Sequence, residues 1–121
     1  MAGFNLLASL DGEAFLAHWD GQLRTVAVPP GAHVISSDHD LDSPELPEAA
    51  IFSKAFGGSS GLPTQESLRG FLSSHDGARP VCKHGAHFGT VSSSIFVDGA
   101  EGTRLLHAAG PPCRTEHRPL I

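Results

Sequence analysis

Period-two alternation opens the chain. Phe4, Leu6, Ala8 and Leu10 fall on one side and Asn5, Leu7 and Ser9 on the other, which predicts a strand over Phe4–Leu10. Asp11-Gly12 then supplies the two residues that a tight hairpin turn needs at positive φ, and a second strand follows over Glu13–Trp19. Asp20-Gly21 turns the chain again into a third strand over Gln22–Val28, which Pro29-Pro30-Gly31 ends because prolines cannot donate to a ladder. His33–Ser37 reads as a fourth, short strand before the polar corner Asp38-His39-Asp40-Leu41-Asp42.

The pattern then changes period. Ser43 as N-cap and Pro44 in the first turn predict a helix from about Glu45 to Phe56, followed by the loop Gly57-Gly58-Ser59-Ser60-Gly61. A second helix is expected over Pro63–His75, with Leu68, Phe71, Leu72 and His75 on one face and Gly77 beyond its end. Strand alternation resumes from Val91, with Val91, Ser93, Ile95 and Val97 opposite Ser92, Ser94 and Phe96. Asp98-Gly99 opens a loop into a last strand over Thr103–Ala108, and Gly110-Pro111-Pro112-Cys113-Arg114 reads as an extended, rigid close. Hairpin-linked strands with helices segregated in sequence indicate an α+β fold: antiparallel sheet with two helices over one face, in a single domain spanning residues 1–121.

Composition narrows the function classes. The chain is 40% apolar and 17% charged, a balance typical of a folded domain. A net charge of −5 with eight Lys and Arg argues against nucleic acid or an anionic membrane surface as the main partner. No basic n-region precedes the first apolar run and Asp11 interrupts it, so neither a signal sequence nor membrane insertion is expected; a cytoplasmic location with Cys82 and Cys113 as free thiols is the default.

The chemistry-bearing residues concentrate in Val81–Val97. Cys82, His84 and His87 form a Cys-x-His-x-x-His run of possible zinc ligands, with Asp38, His39, Asp40 and Asp42 as further donors. Structural zinc sites usually show two paired spacings, and a second matching pair is missing, so no metal and no other cofactor is expected. Cys82 beside His84, and Cys113 beside Arg114, are candidate nucleophile arrangements, but neither spacing by itself delivers an activated thiolate.

Three segments carry a family resemblance: Cys82-Lys83-His84-Gly85, Phe88-Gly89-Thr90-Val91-Ser92-Ser93-Ser94, and His107-Ala108-Ala109-Gly110-Pro111-Pro112-Cys113-Arg114-Thr115. Together they resemble the C-terminal part of the NRDE family, which includes the transport and Golgi organisation protein 2 group. Phe4-Asn5-Leu6-Leu7, Pro29 to Ser36 and Asp40 to Pro44 are similar to that family's middle segment. The resemblance implies the second half of an N-terminal nucleophile hydrolase sandwich, αββα in its layers. It also implies a ligand-binding set of Ser37, Asp38, His84, Thr90, Ser92 and Ser93, with Ser37 standing where the family tends to carry asparagine.

The family nucleophile is a cysteine exposed when the initiator methionine is removed. Here that removal exposes Ala2, and no Asn-Arg-Asp-Glu string occurs. The expected function is therefore a non-catalytic C-terminal module or truncated relative that pairs with another chain, either as a homodimer or with a separately encoded N-terminal half. The alternatives are a small cysteine-dependent amide hydrolase using Cys82 or Cys113, with His84 and Arg114 assisting, and a metal- or haem-binding protein.

Overall fold

The computed structural model describes residues 3–36, 39–56, 63–77 and 79–121. Ser37 and Asp38, proposed above as ligand contacts, and the loop at 57–61 lie outside the described residues. The fold is α+β, with two antiparallel three-stranded sheets and two helices. The chain divides into two compact units, Met1–Ala49 and Ala50–Ile121.

The first unit is a meander of β1 (Phe4–Leu10), β2 (Glu13–Trp19) and β3 (Leu23–Ala27), in that order across the sheet. Asp11 at φ 52° and Gly12 at φ 81° make the two-residue turn, as the Asp-Gly pair predicts. The second turn is different. Trp19 pairs with Leu23, so three residues form the loop, and only Gly21 takes a positive φ, at 106°.

One face of this sheet carries Leu16 and His18, both buried, with Asn5 donating from its side-chain amide to Ser36 O at 2.9 Å. The opposite face carries Phe4, Leu6, Leu10, Phe15 and Leu23, all between 48% and 76% exposed. The expected strand over His33–Ser37 is replaced by an isolated bridge between Ser36 and His39. Here Asp42 organises the chain: its N–H donates to Val34 O, its carboxylate accepts from Val34 N at 2.8 Å, and it sits 2.6 Å from His33 Nδ1. A side chain that satisfies the backbone in this way removes the need for a ladder.

The second unit contains α1 (Ala49–Phe56, which begins at the boundary), α2 (Gln65–Leu72), β4 (Ser93–Gly99), β5 (Gly102–Ala108) and β6 (Arg118–Pro119). Helix α1 starts four residues later than its pattern suggests, because Pro47 disfavours helical backbone at Leu46; turns fill 43–48 instead. Thr64 caps α2, its hydroxyl accepting from Ser67 N at 3.0 Å, and Ser73 ends it, donating from its N–H to Arg69 O. The rings of Phe52, Phe56 and Phe71 lie 5.1–5.6 Å apart and join the two helices.

Strand β4 pairs with β5 in the register Ile95–Leu106, and β6 adds an edge beside Leu106 and His107. The extended close expected at 110–114 is instead a turn in which Arg114 N donates to Pro111 O at 3.1 Å. Pro112 at the second turn position suits that geometry. Among the described residues of this unit the buried apolar side chains are Phe56, Cys82, Ile95, Leu106, Ala108 and Pro112, a small core.

Candidate metal centre

Three chain segments of the second unit converge on one point. The first is the exit of α2. Because Ser73 stops the helix, His75 lies beyond it rather than on its apolar face, and Ser74 O accepts from Cys82 N at 2.9 Å. That bond sets Cys82 beside the helix end, where it is fully buried.

The second segment is the loop from Lys83 to Thr90. Thr90 N donates to Lys83 O at 2.8 Å, Thr90 Oγ1 accepts from Lys83 N at 2.9 Å, and His84 bridges to Gly89. The closure is tight enough to require glycine. A Cβ on Gly85 would lie 2.5 Å from Phe88 O, and one on Gly89 would lie 2.7 Å from Lys83 O. The loop leaves His87 and Phe88 exposed at its far side. The third segment is the turn Pro111–Arg114, which carries Cys113 back to the other two.

The result is a quartet of His75, Cys82, His84 and Cys113 whose ligand atoms all lie within 4.8 Å of one another. His84 Nε2 stands 3.2 Å from His75 Nε2, 3.6 Å from Cys82 Sγ and 3.3 Å from Cys113 Sγ. An imidazole nitrogen has one proton or one lone pair, so it cannot hydrogen-bond three partners at once. A shared cation satisfies all of them. Zinc bonds of about 2.0 Å to nitrogen and about 2.3 Å to sulfur give tetrahedral edges of about 3.3 Å between nitrogens and about 3.6 Å between nitrogen and sulfur. The 3.2 Å and 3.6 Å separations fall at those edges, and the 3.3 Å between Cys113 Sγ and His84 Nε2 is about 0.3 Å shorter than its edge.

The two thiols differ in setting. Cys82 is buried and Cys113 exposed, and both are free. Burial pushes the Cys82 thiol above its ordinary range and the nearby Cys113 thiol adds to that, while a hydrogen bond from the Cys113 backbone and the charge of Arg114 oppose it. Without a cation Cys82 is thus a poor thiolate, the reverse of an activated nucleophile; a metal inverts this preference because a coordinating thiol loses its proton.

The sequence run named two of these ligands, Cys82 and His84. His87, the third residue of that run, is not in the quartet. The sequence marks Cys113 as a candidate nucleophile and as part of a resemblance segment, and puts His75 on a helix face; no spacing rule connects either of them to Cys82. The expectation of no metal rested on the absence of a second matched pair within one stretch, whereas the tertiary structure assembles the set from three. Of the proposed ligand contacts among the described residues, His84 belongs to the quartet. Thr90 closes the 83–90 loop, Ser92 is exposed ahead of β4, and Ser93 Oγ lies 2.6 Å from Nε2 of the buried His117. Arg114 is exposed beside Cys113. Among the described residues no helix is long and apolar enough to cross a membrane. Set against protein-family models, curated proteins and solved structures, the chain matches none of them.

Proposed function

We propose that this chain is a non-catalytic module whose second unit is built around a structural zinc ion, and that it acts by pairing with another chain. The observation that carries the first part is the convergence of His75 Nε2, Cys82 Sγ and Cys113 Sγ on His84 Nε2. Two sulfurs and two nitrogens are a donor set that favours zinc among common divalent ions. Four protein ligands fill the coordination sphere and leave no position for a reactive water, which makes the role structural. The small core of the second unit gives such a staple something to do. Reduced thiols favour a cytoplasmic location.

The reading also keeps the chain beside the C-terminal half of the NRDE family, since Cys82, His84 and Cys113 all lie in the segments that carry that resemblance. In the αββα sandwich it implies, a sheet face is covered by a second sheet.

The pairing is supported by the open face of β1, β2 and β3. Its exposed Phe4, Leu6, Leu10, Phe15 and Leu23 are accompanied by Ala8, Ala17, Trp19, Thr25 and Ala27, and only Glu13 at one end is charged. A face without opposing charges admits a two-fold contact with its own copy, sheet against sheet. A cysteine hydrolase is the weaker reading, because burial disfavours the Cys82 thiolate.

Metal analysis of chain purified without chelators tests the zinc centre. One equivalent of zinc, lost in His84→Ala, is expected; a folded chain holding well below one equivalent would refute it.

A further inference from the structure

We infer that the zinc centre is a peroxide-responsive release site, in which Cys113 and Cys82 join as a disulfide and the ion departs. This inference rests on the zinc reading and adds a regulation to it. The geometry that supports it is the unequal placement of two sulfurs inside one coordination shell. Their Sγ atoms lie within 4.8 Å of each other, so a contraction of at most about 2.8 Å reaches the roughly 2.05 Å of a disulfide bond. Cys113 is exposed and sits on the short turn closed by Arg114 N and Pro111 O, where solvent reaches it first. Cys82 is buried beneath, anchored through its N–H to Ser74 O. An outer sulfur meets the oxidant and an inner one resolves it.

The chemistry balances with hydrogen peroxide as the two-electron oxidant. The Cys113 thiolate attacks one peroxide oxygen, the O–O bond breaks, and hydroxide leaves, giving a sulfenic acid on Cys113. The Cys82 thiolate then attacks that sulfur, the S–O bond breaks, and a second hydroxide leaves as the S–S bond forms. Two thiolates and one peroxide become one disulfide and two hydroxides, which take protons from solvent. Zinc keeps its charge throughout and departs because His75 and His84 alone are too few ligands to hold it. Reduction by an external dithiol restores both thiolates and the site.

The test uses the full chain, purified under reducing, chelator-free conditions and then freed of reductant under nitrogen. Zinc content is measured first, and absence of zinc at that stage overturns the zinc reading itself. Zinc-loaded chain is then titrated with hydrogen peroxide while free zinc is followed with a chromogenic chelator and thiols are counted. One zinc and two thiols should disappear together, peptide mapping should find a Cys82–Cys113 link, and dithiothreitol with added zinc should reverse the change. His87→Ala, outside the quartet, should respond like the unsubstituted chain. Zinc retained after peroxide, or zinc released with sulfinic acid in place of the Cys82–Cys113 disulfide, would overturn the switch and leave the zinc centre standing.

Discussion

Cys113 Sγ lies 3.3 Å from His84 Nε2 although 29 residues separate them in the chain. The contact exists because one turn returns the chain after β5 and a glycine-dependent loop holds His84 where that turn arrives. Replacing a direct ligand should therefore be severe. Loss of an outer-shell partner already weakens metal affinity by about 10- to 100-fold, so His75→Ala and Cys113→Ser should each lose more than about 100-fold in a competitive zinc titration, while His87→Ala should not change. Chelation should also lower the thermal midpoint by roughly 10 °C or more, since even about 3 kcal/mol of linked binding has that effect in a domain of this size. A melting curve indifferent to chelator would contradict a structural role.

Gly85 and Gly89 make a second prediction. Each approaches backbone oxygen more closely than any Cβ tolerates, at 2.5 Å and 2.7 Å. Gly85→Ala and Gly89→Ala should open the 83–90 loop, destabilise the chain by about 1–3 kcal/mol and weaken zinc binding without removing a ligand. Gly99→Ala, where the space around a Cβ is open, is the control. Equal melting temperatures for all three variants would show that the loop adapts.

His117 makes stability depend on acid. It is 4% exposed, and burial, helped by Arg69 and His107, holds its pKa below the ordinary 6.5. The unfolded chain takes up a proton near pH 6.5 that the folded chain refuses, so this contribution is present above that pH and is lost as pH falls through the folded value. The difference in unfolding free energy between the unsubstituted chain and His117→Gln should shrink from pH 7 to pH 5. A constant difference would show that folding leaves the His117 pKa unchanged.

His33 should act in the opposite sense. The Asp42 carboxylate, 2.6 Å away, raises its pKa above 6.5, with burial opposing and Pro29 O assisting. Burial pushes Asp42 up, but its bonds from His33 and Val34 outweigh this and hold it low. The pair's contribution is complete below pH 6.5 and is lost as pH rises through the folded value of His33. His33→Asn should therefore cost stability at pH 6 and little at pH 9. Imidazole shifts followed by NMR would expose an error here if His33 titrated below pH 6.5.

The open sheet face yields the last expectation. At about 25 cal/mol per Å² of apolar surface, covering such a face contributes several kcal/mol, so the chain should sediment as a dimer at micromolar concentration. Leu6→Lys, which puts a charge on the face beside Ala17 of the central strand, should give monomer. A monomer from the unsubstituted chain that melts cooperatively would remove the pairing proposal.

What the sequence determined by itself is local. The limits of β1 and β2 follow from side chains alternating on either side of a turn whose residues set its own geometry, so nothing distant has to be known. The helix ends were less legible, because Pro47 and the Ser73 cap act through backbone bonds that a periodic pattern does not register. Strand β6 has two residues and no pattern of its own; only the ladder to Leu106 and His107 makes it a strand. The metal quartet was decided by tertiary structure. Cys82 and His84 show themselves by spacing, but coordination needs ligand atoms within a few ångströms in space, and sequence separation constrains that distance only within one short segment. His75 and Cys113 reach Cys82 and His84 because a helix stops early and a turn doubles back, and the bonds from Cys82 N to Ser74 O and from Ser73 Oγ to Pro112 O tie those segments together.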